Sequence, residues 1–112
     1  MFTAVTITGT FENADDSPCS GKVFATPNVA MSNDGAEQST FPICGVLDDT
    51  GSLVTRSGDP FVLNSTNDAD TLPQEAFYTF TLKIDGQDIM EFDAFVPTTT
   101  PQTFISLQEN AV

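Results

Sequence analysis

The sequence contains no histidine and no tryptophan, only one tyrosine, Tyr78, only two cysteines, and only three basic residues, Lys22, Arg56 and Lys83. Each shortage excludes something. Without histidine the usual general base, the proton shuttle and the commonest metal ligand are missing. A Ser- or Cys-centred mechanism would need an unusual base, and Lys22 and Lys83 fall on expected strands with no second reactive group marked beside them. No glycine-rich phosphate loop, nucleophile elbow or zinc-ligand spacing occurs. Carboxylates are plentiful, but glycosidase chemistry needs two held at a set separation in a cleft, and a chain this small has little room for one. Catalysis is therefore not expected. No catalytic, cofactor-binding or metal-ligating residue is assigned, and no cofactor.

The few cations face sixteen Asp and Glu, giving a formal net charge of −13 and a pI of about 4.1. Such a surface is repelled by phosphate backbones and lacks the Lys and Arg that displace counterions from DNA. Neither nucleic acid nor an anionic membrane surface is an expected partner. The plainest account of the charge is solubility, and a high-salt source would give the same composition. No apolar run approaches the length of a membrane span. The opening Met1-Phe2-Thr3-Ala4-Val5-Thr6 has neither the basic nor the apolar region of a secretory signal, so manufacture and use without signal-peptide export are expected. In a reducing cytosol Cys19 and Cys44 are expected as two thiols rather than a disulfide. Cys44, in an apolar stretch, reads as a small core residue.

What the chain does have is alternation. Its 112 residues suit one domain, 1–112, able to bury roughly two-thirds of the surface of the unfolded chain. Segments of alternating polarity are separated by Gly, Pro, Asn and Asp clusters, the pattern of an all-β protein. Strands are expected over 3–11, 22–26, 40–47, 52–55, 60–63, 77–84, 89–96 and 103–108. Turns are expected at 13–18 and 48–51, with polar loops at 28–38 and 64–73 and a Thr/Pro linker at 97–101. Pro42 inside the third strand implies an edge or a bulge, because proline cannot donate to a ladder. No window shows helical periodicity with caps. About seven or eight short strands in this length is the count of an antiparallel β-sandwich.

The last hairpin allows a register to be read. Tyr78, Phe80, Leu82 and Ile84 are apolar at even positions, as are Met90, Phe92, Ala94 and Val96. Directly paired residues share a face, so even must pair with even. A two-residue Asp85-Gly86 turn would set Phe80 against Glu91. A three-residue loop, Ile84-Asp85-Gly86, instead pairs Phe80 with Met90 and Tyr78 with Phe92, with Gly86 left-handed.

Two features could bind small ligands. The loop Asn64-Ser65-Thr66-Asn67-Asp68-Ala69-Asp70 places Asp68, Asp70 and Asn67 as oxygen donors for calcium, but lacks the glycine and bidentate glutamate of an EF-hand loop. A solvated acidic turn is the simpler reading. Phe77 and Phe95 lie on the polar faces of their strands, where an exposed aromatic platform would serve a carbohydrate-binding module. Contact with a partner protein would expose them equally.

The opening Val5-Thr6-Ile7-Thr8-Gly9-Thr10-Phe11, followed by Ser20-Gly21-Lys22-Val23-Phe24-Ala25-Thr26-Pro27, resembles a recurrent pattern in phage virion proteins. There a strand ends in G-T-F, and a polar turn leads to a small residue and G-x-V-x-F-x-P. Here the aromatic stands one place early, at Phe24, with Ala25 in its expected position. Leu47-Asp48-Asp49-Thr50-Gly51 resembles the pattern's L-D-x-x-G turn, Tyr78-Thr79-Phe80 its aromatic strand, and Val96-Pro97 the close of its penultimate strand. The loop over 28–38 and both cysteines fall outside the pattern. The resemblance is to transthyretin-like or immunoglobulin-like sandwich domains of tailed phages, of the actinobacteriophage type, found on capsid surfaces and in minor tail proteins. It implies a virion structural protein, first a capsid decoration protein on the outer face of the shell. A minor tail, baseplate or fibre-attachment component is the alternative, and a carbohydrate- or calcium-binding module the alternative from another class. The implied partners are the major capsid protein lattice or other virion proteins, with a homo-oligomer on the particle as a further option. A fibre subunit would normally continue into a shaft, whereas this sequence stops soon after its last expected strand.

Overall fold

The computed structural model describes residues 2–109 and 111. In chain order the elements are β1 (Ala4–Thr8), β2 (Gly21–Pro27), β3 (Met31–Asn33), β4 (Ala36–Gln38), β5 (Ile43–Leu47), β6 (Leu53–Val54), β7 (Phe61–Asn64), β8 (Thr71–Leu72), β9 (Tyr78–Ile84), β10 (Met90–Ala94), β11 (Gln102–Thr103) and α1 (Phe104–Glu109). The protein is all-β, with one short helix. Its strands form a five-stranded sheet in the order β10-β9-β2-β5-β6 and two three-stranded sheets, β11-β1-β7 and β4-β3-β8. Pairing is antiparallel throughout, except between β1 and β11.

Alternation explains which faces meet. Val5 and Ile7 of β1 and Phe61 and Leu63 of β7 are buried, as are Val23 and Ala25 of β2 and Tyr78, Phe80 and Leu82 of β9. These side chains, from two sheets, belong to one apolar cluster. The intervening residues Lys22, Phe24 and Thr26 pair with Lys83, Thr81 and Thr79 on the opposite face of the large sheet.

The β9–β10 hairpin keeps the expected parity but not the expected register. Phe80 pairs with Phe92, Leu82 with Met90 and Tyr78 with Ala94. The anticipated pairs Phe80–Met90 and Tyr78–Phe92 are thus displaced by two residues. The cause is Ile84. Sitting in a three-residue loop would have pulled it out of the strand, whereas here it pairs with Gly21 and stays 9% exposed. The connection lengthens to residues 85–89, and Gly86 is left-handed as expected, with φ of 80°.

Four other expectations are corrected. Residues 28–38 are not a plain loop but contain the β3–β4 hairpin. Pro42 precedes β5, which lies between β2 and β6, so it marks neither an edge nor a bulge. Residues 64–73 are only partly an exposed loop: Asn67, Ala69, Asp70, Leu72 and Pro73 are exposed, but Ser65, Thr66 and Thr71 are fully buried. Their polar groups are tied down: Thr66 N–H donates to the Val96 carbonyl at 2.7 Å, Val96 N–H to Thr66 Oγ1 at 2.9 Å, and Asn33 Nδ2 to Thr71 Oγ1 at 3.0 Å. Finally, residues 103–108 are largely helical. Thr103 Oγ1 caps α1 by accepting from Ser106 N–H at 3.1 Å, and Phe104 and Leu107, three apart, turn inward.

One polar network joins all three sheets. The Tyr78 hydroxyl of β9 donates to the Asn64 carbonyl of β7 at 2.8 Å and accepts from Gln38 Nε2 of β4 at 3.1 Å. Asn64 Nδ2 in turn donates to Gln38 Oε1. Burial pushes the Tyr78 hydroxyl pKa up to about 12.

Candidate interaction surface

In the acidic loop, Asp68 Oδ2 accepts from Thr3 Oγ1 at 2.6 Å and Oδ1 from Asp70 N–H at 3.2 Å. These bonds, chiefly the one from Thr3, hold its carboxyl below the usual carboxylate range. Asn67 Oδ1 accepts from Thr98 N–H at 3.0 Å. Oxygens that could have served a cation are thus engaged in pinning the loop to the start of β1 and to the segment after β10. Among the described residues, no three His, Cys, Asp or Glu side chains are grouped as a metal site.

Both cysteines are free, but Cys44 is not the core residue the sequence suggested. Cys19 is the core residue, 3% exposed, with its thiol 3.4 Å from Asn13 Oδ1. Cys44 is half-buried and pairs with Phe24 on the outer face of the large sheet, because the inward position in β5 belongs to Gly45. Phe77 and Phe95 are half-buried and meet edge to face, with centroids 6.4 Å apart and planes at 88°. The pair presents an edge and a face to each other rather than one flat platform. Lys22 and Lys83 pair directly across β2 and β9, and Lys83 Nζ sits 5.2 Å from the Phe24 ring centre.

The feature that sequence reasoning missed lies where β10 begins. The Phe104 ring closes one end of the core, meeting Phe11, Phe80 and Phe92 at centroid distances of 5.4, 6.0 and 6.4 Å. Because Phe104 and Leu107 point inward, Ile105 points out and is 71% exposed. Ile89 and Met90 are 65% and 48% exposed. Between them lies a cavity of about 390 Å³ that reaches from Thr8 and Phe11 to Ile105. A second, of about 370 Å³, continues past Met90 to Ile89, and Phe11, Leu82 and Met90 line both.

One acid, Asp88, lines this largely apolar groove, and Glu91, next to Met90, lies on the other face of β10, opposite Thr81. None of Lys22, Arg56 or Lys83 lines either cavity. A partly apolar concavity with no cation in its lining, on a protein of net charge −13, marks a surface suited to being covered. Comparison with family models, curated proteins and solved structures finds no match to this chain.

Proposed function

We propose that this protein is a non-enzymatic structural component of a phage virion, first of all a decoration protein on the outer face of the capsid. On this reading the paired sheets form an immunoglobulin-like or transthyretin-like sandwich of about seven principal strands. The major capsid protein lattice is its partner, and the outer surface of the shell is its place. The observation that carries the reading is the spread of large apolar side chains over the surface. Phe41 is 81% exposed before β5, Ile105 71% on α1, Ile89 65% before β10, and Leu72 59% on β8. A small-ligand module needs one concavity. A lattice component is covered by several neighbours and presents apolar contacts on several elements. The acidic surface supports a location away from packaged DNA.

Stabilisation would follow from mass action, since a protein that binds the assembled shell and not its free subunits favours the assembled state. Purified protein should add back to shells lacking it and raise their melting temperature. Saturation near one copy or one small oligomer per lattice position is expected. Saturation at a handful of copies per particle would assign the protein to the tail, and no uptake would end the virion reading.

A further inference from the structure

β10 is the outermost strand of the five-stranded sheet, and β9 pairs with one side of it over Met90–Ala94. On its other side, among the described residues, Ala111 bridges to Ala94 and nothing pairs with residues 90–93. That side, with no strand partner over 90–93 among the described residues, is where a further strand could pair. The groove adjoins this edge, because Met90 lines both of its cavities. A strand added to β10 would place alternate side chains on the face of Met90 and Phe92, which is the groove's face. The intervening side chains would fall on the face of Glu91 and Asp93.

Charge selects the occupant. A second copy would bring another −13 against Glu91, Asp88 and their neighbours, so self-association through this edge is opposed. A cationic segment is attracted to the same place.

We propose that the β10 edge and its groove form a strand-addition site for an extended segment of a partner protein, with apolar side chains at alternate positions and Lys or Arg between them. This rests on the reading of the protein as a binding component of a larger assembly, and it names the chemistry of the contact. The apolar side chains enter beside Met90 and Ile105. The cations stand across from Glu91 and Asp93.

The test is a titration of isotope-labelled protein with a capped peptide of roughly seven alternating Val and Lys residues, followed by backbone amide shifts. Saturable shifts are expected at residues 89–93 and 103–108, weakening as salt is added. Ile105→Asp should weaken binding about tenfold or more, as loss of one buried apolar anchor implies. Because Ile105 is exposed, that variant should keep the wild-type spectrum elsewhere. Glu91→Lys should shift preference toward a Val/Glu peptide. No saturable shift at these amides with millimolar Val/Lys peptide would overturn the proposal, as would equal binding of the Val/Glu peptide by the wild type. Sedimentation showing a dimer that Ile105→Asp dissolves would overturn it in favour of a second copy. Failure here is separable from failure of the capsid reading. Shells that take up wild type and Ile105→Asp equally refute this site alone. Peptide binding without shell uptake refutes the capsid alone.

Discussion

Replacing Tyr78 with Phe removes one oxygen atom and detaches the five-stranded sheet from the network, leaving Asn64 and Gln38 to join the other two sheets. The hydroxyl is donor to the Asn64 carbonyl and acceptor from Gln38 Nε2, and the ring around it is fully buried. Phe fills the same space, so no cavity term enters. What remains is a carbonyl and an amide each short of a partner, at about 1–3 kcal/mol in total. For 112 residues the unfolding entropy is roughly 0.24 kcal/mol/K, so the melting temperature should fall by roughly 4–12 °C at neutral pH.

The same substitution has an alkaline signature. The fold raises the Tyr78 pKa from 10.0 to about 12, so the folded state holds the proton more tightly than the unfolded one. That contribution is complete below pH 10 and is lost as pH climbs through about 12, with a full loss on the order of 2–3 kcal/mol. Wild type should lose this increment and Tyr78→Phe should not, while lysine deprotonation affects both alike. Urea denaturation of the two proteins from pH 7 to about pH 12 should therefore show their stability gap closing on the alkaline side. A gap that stays constant across that range, or no gap at neutral pH, would refute the network as the link between the sheets.

Ser65 Oγ is buried with no hydrogen-bond partner among the described residues, so Ser65→Ala should be neutral or stabilising by up to about 1 kcal/mol in chemical denaturation. Gly45 has no room for a side chain: a Cβ there would stand 2.8 Å from Leu53 Cδ1 and from Phe61 Cδ1. Gly45→Val should thus destabilise by about 1–3 kcal/mol or more, read as a lowered melting temperature. Asp48 Oδ1 accepts from Thr50 Oγ1 at 2.7 Å, Thr50 N–H at 2.9 Å and Ser52 N–H at 3.0 Å, which holds its carboxyl below the usual 3.8. Its contribution is present above pH 3.8 and fades as pH falls through the lowered value, so Asp48→Asn should flatten the acid limb of a melting-temperature profile. Calcium titrated calorimetrically should give no heat at the Asp68 loop, whose oxygens already accept from Thr3 and Asp70.

The strands with clean alternation were legible. Those of β1, β2 and β9 stand out because each buries one face, and the Asp48–Gly51 turn and left-handed Gly86 follow from residue chemistry. The β3–β4 hairpin carried its own signal in Asp34-Gly35, both with positive φ, of 47° and 87°. It was obscured because its flanks, Met31-Ser32-Asn33 and Ala36-Glu37-Gln38, are mostly polar. Asn33 is buried among partners distant in sequence, Thr71 being one. Helix α1 spans six residues, too few for periodicity to separate Phe104 and Leu107 from a strand pattern.

The candidate interaction surface was illegible for a different reason. Met90 and Phe92 share one parity and one face of β10, and periodicity cannot distinguish them. Their fates differ because Phe104 lies against Phe92, while Met90 extends beyond that cover and is left 48% exposed. Where the cover stops depends on α1, so a misread helix conceals the groove. Once α1 is placed, Ile105 can no longer be a core residue, since the buried stripe of the helix already holds Phe104 and Leu107. An outward Ile105 beside an outward Met90, at an edge with no strand partner over 90–93 among the described residues, on a chain with sixteen acids and none of its three cations in the groove, has two physical outcomes. Either the apolar surface stays wet at a continuing free-energy cost, or a chain of complementary charge covers it. Shell uptake that is salt-sensitive and fails for Ile105→Asp would decide for the second. Uptake indifferent to both would leave the groove as exposed surface and move the contact to the faces carrying Phe41 and Leu72.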